Sequence, residues 1–140
     1  MEIENNISIG MLSKHFSIEE FQCRCGCGTC YVNEYLIYKL EYARDELKRP
    51  INITSGCRCP LHNKASGGNP NSTHISVAER MLCEGADILI PSNHYRALIV
   101  PILSQYFQRI GFGDNFIHVD IRNSYPSPRY WMYSGKRKKR

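Results

Sequence analysis

Several features that define other protein classes are missing from this 140-residue sequence. No apolar run approaches the ~18 consecutive residues of a membrane-spanning helix, so the sequence does not predict an integral membrane protein. The first ten residues, MEIENNISIG, lack the basic and apolar regions of a secretory signal. We therefore expect synthesis in the cytoplasm without a signal peptide, and export that depends on another component.

Residues 1–135 carry no formal net charge. The formal charge is +5, and the five basic residues at 136–140 supply all of it. We expect one domain over residues 1–135, which is long enough for a single core, and a basic C-terminal tail at 136–140. Such a tail is usually a solvated end, but it can also contact a polyanion. Its residues are Lys136, Arg137, Lys138, Lys139 and Arg140.

Cysteine, by contrast, is abundant, with seven residues. In a reducing compartment such clusters favour metal binding over disulfides, and an odd number cannot all pair within one chain. The spacing C-x-C-x-C-x2-C differs from the usual pair of CxxC motifs of structural zinc sites. Both a metal cluster and disulfides formed after release from the cell remain open. The clustered residues are Cys23, Cys25, Cys27, Cys30, Cys57 and Cys59, and Cys83 stands alone.

Hydrophobic periodicity predicts an α+β fold, a small, mostly antiparallel sheet with helices on one side. The segment FSIEEF carries a capping-box pattern that starts a short helix. A longer helix follows Asn33 and stops before Pro50, and another runs from Ser92 to about residue 109, where Pro101 should kink or divide it. Strands are predicted at 51–54, 86–90 and 116–121, a helical turn after Pro60, and a turn at 111–115.

The strand FIHVDI (116–121) alternates apolar and polar side chains. Its polar members, His118 and Asp120, share one face with Arg122 because strand residues alternate between faces. Such a face is either ordinary solvent-exposed sheet or the wall of a polar site, since these groups are costly to bury without partners.

Two more residues extend this polar set. His74 lies in a loop of small polar residues, and Asp87 opens the apolar strand ADILI. Together with His118 they supply two nitrogens and one oxygen, which suits a Zn²⁺ ion with a fourth position left for water. No HExxH helix is present, so the common metalloprotease motif is excluded.

The segments ITSGCRCPLHNKASGGNPNSTH, GADILI and FIHVDIR occur in this order, and the chain resembles the M15 family of zinc D-Ala-D-Ala carboxypeptidases and endopeptidases, especially its phage-type members. That family shares its fold with the hedgehog domain. The resemblance implies His74, Asp87 and His118 as zinc ligands. It also implies Arg58 as the arginine that contacts the substrate or the developing oxyanion.

Two departures from the family pattern stand out. Twelve residues, 75–86, separate His74 from Asp87, about twice the number usual in the family, which predicts an inserted loop beside the metal. Positions that carry a Glu or a second His in family members hold Asn115 and Phe116 here. The general base must then come from elsewhere. Asp120 is the first choice, either as a base or as a residue that orients a ligand, and Glu84 and Asp114 are weaker candidates.

The resemblance implies a zinc peptidase that hydrolyses stem peptides or cross-links of bacterial peptidoglycan, as a phage or prophage lysis enzyme made in the host cytoplasm and acting at the cell wall. We expect a monomer. The alternative is a non-catalytic, metal-containing binding protein of the same fold, favoured by the two departures. A nucleic-acid-binding module built on the cysteines and the basic tail is a third class, but it needs no carboxylates on the strand face.

Overall fold

The computed structural model describes residues 9–133, and within that range the chain forms four helices and five strands. This confirms the α+β class. The basic tail lies outside the described residues. In chain order the elements are α1 (Ile18–Phe21), α2 (Glu34–Leu47), β1 (Ile53–Ser55), α3 (Pro60–Ala65), β2 (Gly85–Leu89), α4 (Asn93–Tyr106), β3 (Arg109–Phe112), β4 (Phe116–Asp120) and β5 (Arg129–Met132).

The five strands form one sheet in the order β1-β2-β4-β3-β5. Neighbouring strands run antiparallel except β3 and β5, which run parallel. The sheet is therefore mostly antiparallel, as the sequence predicts. β2 and β4 lie next to each other at its centre, so the two segments with the most informative polar residues are direct neighbours.

The hydrophobic core lies between the two long helices and the apolar face of this sheet. The alternation in β4 places Ile117 and Val119 in the core, and both are fully buried. The helices meet this face with side chains three and four residues apart, the spacing of one helical face. Core residues from α2 and α4 include Leu36, Leu40, Ala43, Leu47, Ile99 and Leu103.

Helix ends follow local chemistry. The Ser17 hydroxyl accepts a hydrogen bond from the Glu20 amide, and the Glu20 carboxylate accepts one from the Ser17 amide, which completes the predicted capping box. At the starts of α2 and α4, the side chains of Asn33 and Ser92 accept hydrogen bonds from the Tyr35 and Tyr95 amides. α4 continues through Pro101 as a single helix, so Pro101 does not divide it, and the alternative, a kink at Pro101, stays a prediction.

Two strands at one side of the sheet were not predicted. β3 occupies Arg109–Phe112, where the sequence predicts the end of a helix and then a turn. Only four residues long and containing Gly111, it is too short for a clear period-2 signal. The residues of β5 are mostly exposed and show no regular hydrophobic pattern, and β5 forms a strand by pairing with β3. It covers that edge of the sheet.

Within residues 9–133, no helix combines the length and the apolar character needed to cross a membrane.

Replacing Leu40 with Ala should destabilise the fold by about 2–5 kcal/mol, because the side chain is fully buried between α2 and the sheet. The measurement is the urea unfolding free energy. The matched control is Leu61→Ala, since Leu61 is 81% exposed and its truncation should stay within about 0.5 kcal/mol of wild type. Equal losses in both variants would contradict this core assignment.

Candidate metal centre

The pairing of β2 with β4 brings Asp87 and His118 together. The two residues are directly opposite each other in the antiparallel register, so their side chains leave the same face of the sheet as a cross-strand pair. His118 Nδ1 lies 2.9 Å from Asp87 Oδ1. Both side chains are buried, which identifies this face as the wall of a site and not as ordinary solvent-exposed sheet.

His74 reaches the same point from a loop. The loop is held against the segment after β1 by reciprocal backbone bonds, from the Arg58 amide to the His74 carbonyl (2.8 Å) and from the Ser76 amide to the Arg58 carbonyl (2.9 Å). This places His74 Nε2 3.2 Å from Asp87 Oδ1. One ligand atom from each of His74, Asp87 and His118 therefore lies within 4.8 Å of the others.

The opposite nitrogen of each imidazole has its own partner. His74 Nδ1 lies 2.7 Å from the Gly56 carbonyl oxygen, and because a carbonyl only accepts, Nδ1 carries the proton. His118 Nε2 lies 2.9 Å from Asp120 Oδ2, so it donates to that carboxylate. The other nitrogens, His74 Nε2 and His118 Nδ1, face Asp87, and ligand histidines in metal sites are oriented by outer contacts of this kind.

The electrostatics of this cluster favour a cation between the three groups. Burial lowers the pKa of His74, which keeps its imidazole neutral. Burial also opposes ionisation of Asp87, but the adjacent imidazoles hold the pKa of its carboxyl well below the usual range. Burial opposes protonation of His118, but the Asp120 and Asp87 carboxylates raise the pKa of its imidazole, so a metal ion would take the place of a proton between His118 Nδ1 and Asp87. Two nitrogens and one oxygen are a donor set that suits Zn²⁺, and His74, Asp87 and His118 fit such an ion.

A sequence model of the family described as Peptidase M15 matches residues 14–120, which is 107 of the 140 residues. The chain belongs to the peptidase M15 family. The matched range contains all three members of the histidine–aspartate cluster, and together they support a metallopeptidase. No match was found among curated proteins. β5 lies beyond the matched range.

Arg58 of this M15 chain lies on the side of Asp87 away from the imidazoles. Its guanidinium is 3.7 Å from Asp87 Oδ2 and also donates to Ser55 Oγ and Asn63 Oδ1 at 3.2 Å each. Arg58 is buried, and these contacts fix its charge beside the cluster. A contact between Arg58 and substrate or oxyanion remains a prediction.

Asp120 is fixed from two sides. Its Oδ1 accepts from Arg109 Nε at 2.7 Å, and its Oδ2 accepts from His118 Nε2. Although burial opposes its ionisation, these neighbours lower the pKa of the Asp120 carboxyl. Asp120 therefore contacts His118 directly, and both of its roles, base and orienting residue, stay predictions.

A cleft of about 420 Å³ borders the cluster, and sequence reasoning missed one of its walls. Trp131 and Tyr133 come from β5 and the residue after it, and burial raises the pKa of Tyr133 to about 12, so its phenol is neutral. The Arg109 guanidinium lies 5.0 Å from the centre of the Trp131 ring. The only sequence signal was an aromatic C-terminal segment. The cleft is lined by Asn69, Asn71, Ser72, Thr73, His74, Arg109, His118, Asp120, Tyr125, Trp131 and Tyr133.

The register explains why this wall reaches the cluster. Asp87, His118, Gly111 and Trp131 are successive partners across four strands. A side chain at Gly111 would put its Cβ 2.6 Å from Trp131 Nε1, so glycine lets the indole lie over β3, where its ring centre is 5.7 Å from that of His118.

The weaker base candidates lie apart from the cleft lining. The Glu84 carboxylate accepts from Arg122 Nε at 2.7 Å, and neither Glu84 nor Asp114 belongs to the described residues that line the cleft. The segment between His74 and Asp87 has no helix. It contains a tight turn closed by two backbone bonds between Val77 and Met81, and its being an insertion relative to the family stays a prediction.

Replacing Gly85 with Ala should disturb the centre, because a Cβ there would lie 2.3 Å from Thr73 Oγ1 and 3.0 Å from His118 Cε1. We expect a loss of about 1–3 kcal/mol in unfolding free energy and lower zinc occupancy, measured by urea titration and metal analysis.

The Thr73→Ala change serves as the control in the same background, since it removes the nearest clashing atom and should recover part of both losses. Wild-type stability and zinc content in Gly85→Ala would contradict the close packing of these three residues.

Proposed function

We propose that this M15 chain is a zinc-dependent peptidase that hydrolyses peptide bonds in the stem peptides or cross-links of bacterial peptidoglycan, and that it serves as a phage or prophage lysis enzyme at the cell wall. The observation that most supports this proposal is that His74, Asp87 and His118 converge at the border of an open cleft in a chain of this family. A folded domain over residues 1–135 is part of the proposal.

His74 Nε2, Asp87 Oδ1 and His118 Nδ1 are the atoms that would hold the zinc. When bound, zinc supplies Lewis acidity, which polarises a scissile carbonyl and makes water more acidic. Gly56 and Asp120 each accept the proton of one imidazole, which leaves the opposite nitrogen of each ring as the one that would bind zinc. Asp120 is in this respect a positioning residue.

The cleft provides two kinds of substrate contact. Arg109 contributes a guanidinium, and Tyr125, Trp131 and Tyr133 contribute aromatic surface. Stem peptides carry carboxylates, which a fixed guanidinium binds well. Arg58 supplies a second positive charge behind Asp87, placed to stabilise negative charge that develops near the cluster. The tail at 136–140 is proposed to contact an anionic polymer of the wall.

A non-catalytic binding protein is the second candidate. It is favoured by Asn115 and Phe116, which stand where family members carry a Glu or a His, and by the engagement of both Asp120 oxygens. Such a protein would bind zinc and peptidoglycan without releasing new amino groups. The two candidates therefore differ in turnover.

The double variant Asp87→Ala, His118→Ala should lose one zinc per chain and all hydrolysis, because it removes two of three ligands. Zinc is measured by elemental mass spectrometry, and hydrolysis by new amino groups released from purified peptidoglycan, with mass spectrometry of the products to identify the bond. His94→Ala is the matched control, since His94 is exposed on α4. Unchanged zinc content in the double variant refutes the ligand set, and zinc binding without hydrolysis by wild type favours the binding protein.

The Asp120→Asn variant separates positioning from proton transfer. If Asp120 orients His118, zinc affinity should fall about 10–100-fold while kcat at saturating zinc stays near wild type. Zinc affinity is measured by competition with a chelator, and kcat on a soluble stem peptide. A drop in kcat of about 10²–10⁴ with unchanged zinc affinity would instead make Asp120 the general base.

A further inference from the structure

Four cysteine sulfurs meet on the other side of the segment that holds Arg58. Three of them, Cys23, Cys25 and Cys27, come from the loop after α1, and Cys59 comes from the residue that caps α3. One sulfur from each lies within 4.8 Å of all the others. These segments are 32 residues apart at their nearest cysteines, 27 and 59, so the fold itself assembles the group.

The separations among three of these sulfurs match the edges of a metal tetrahedron, and the Cys27 sulfur lies within 4.8 Å of each. Cys23 Sγ lies 3.5 Å from Cys25 Sγ and 3.8 Å from Cys59 Sγ, and Cys25 Sγ lies 3.8 Å from Cys59 Sγ. Zinc–sulfur bonds of about 2.3 Å in tetrahedral geometry require sulfur–sulfur edges of about 3.8 Å. A disulfide would need about 2.05 Å between one pair.

Two of the four sulfurs also accept a backbone hydrogen bond. The Cys59 amide donates to Cys23 Sγ at 3.4 Å, and the His62 amide donates to Cys59 Sγ at 3.3 Å. Hydrogen bonds to a thiolate favour its charged form, which is the form that binds metal.

Glycine residues between the cysteines allow the loop after α1 to bring their sulfurs together. Gly26 and Gly28 have φ angles of +88° and +79°, in the left-handed region that glycine adopts without strain. The Gly26 amide donates to the Cys23 carbonyl, and the Cys23 amide donates to the Thr29 carbonyl. The chain thus turns tightly enough for successive cysteines to point to one centre.

The other three cysteines form a separate group. Cys57 Sγ lies 4.0 Å from Cys30 Sγ, and the buried Cys83 donates to the Gly85 carbonyl at 3.1 Å. Cys57 and Cys83 belong to the hydrophobic core, and Cys30 packs against it. The seven cysteines thus divide into a group of four and a group of three. Of the six cysteines that are clustered in the sequence, four have metal-binding geometry in the structure.

We propose that Cys23, Cys25, Cys27 and Cys59 bind a structural zinc ion, distinct from the ion at the histidine–aspartate centre. Four thiolates leave no open position, which is the pattern of a structural site. The ion would tie the loop after α1 to the start of α3.

This second site is coupled to the first through a short segment. Cys59 follows Arg58, whose backbone pairs with His74 and Ser76, and Gly56 accepts the His74 Nδ1 proton. Zinc bound by Cys59 therefore anchors the chain that orients a ligand of the other centre. Loss of the cysteine-bound zinc should loosen the histidine–aspartate centre without removing any ligand of that centre.

The test is the metal content of the full chain purified with reductant. Wild type should hold two zinc ions, the Asp87→Ala, His118→Ala variant one, and Cys25→Ser one. The matched control, Cys30→Ser, should keep two. Cobalt substitution provides a readout that is independent of activity, because cobalt bound by thiolates gives strong charge-transfer absorption. That absorption should persist in the Asp87→Ala, His118→Ala variant and be lost in Cys25→Ser.

A thiol-reactive mercurial titrated into the wild-type protein covers the case in which Cys25→Ser does not fold. One zinc should be released as four thiols react. One zinc per chain without cobalt–thiolate absorption, or a disulfide among these four residues in protein purified with reductant, would overturn the proposal. Loss of peptidase activity alone would not, since the cysteine site does not depend on turnover.

Discussion

The cross-strand pair of Asp87 and His118 is the contact on which the rest of the site depends. Both residues are buried and directly opposite in the central strands, and a slip of one residue in that register would turn one of them toward the hydrophobic core. The same register sets the apolar residues Ile117 and Val119 against the helices. Burial of the core and assembly of the metal centre are therefore one constraint, because the alternation that stabilises the fold also positions the ligands.

Further residues surround this pair and hold it in place. Gly56 and Asp120 fix the imidazoles, and Arg58 and Arg109 place positive charge beside the two carboxylates. On one side the four-cysteine group would anchor the segment that carries Gly56 and Arg58. On the other side β5 supplies the aromatic wall of the cleft, from beyond the part of the chain that matches the family. That wall is the place to look for substrate selectivity particular to this protein.

The sequence was sufficient for the features that local patterns encode. The alternation of β4 predicted its two faces, and the capping box predicted where α1 begins. It was insufficient where order depends on distant partners. β3 is short and contains a glycine, and β5 is a strand because β3 is beside it, so the contribution of Trp131 was not predictable. Likewise, sequence spacing grouped Cys57 with Cys59, but the structure places Cys57 in the hydrophobic core and Cys59 at the N-cap of α3, and this separation depends on distant packing partners.

The most direct test of the central claim is anomalous diffraction at the zinc absorption edge from crystals of the full chain. The account predicts a peak about 2.0–2.2 Å from His74 Nε2, Asp87 Oδ1 and His118 Nδ1, with the Gly56 and Asp120 contacts in place. Zinc-saturated crystals with no peak at that point, or with the ion held by other atoms, would contradict it.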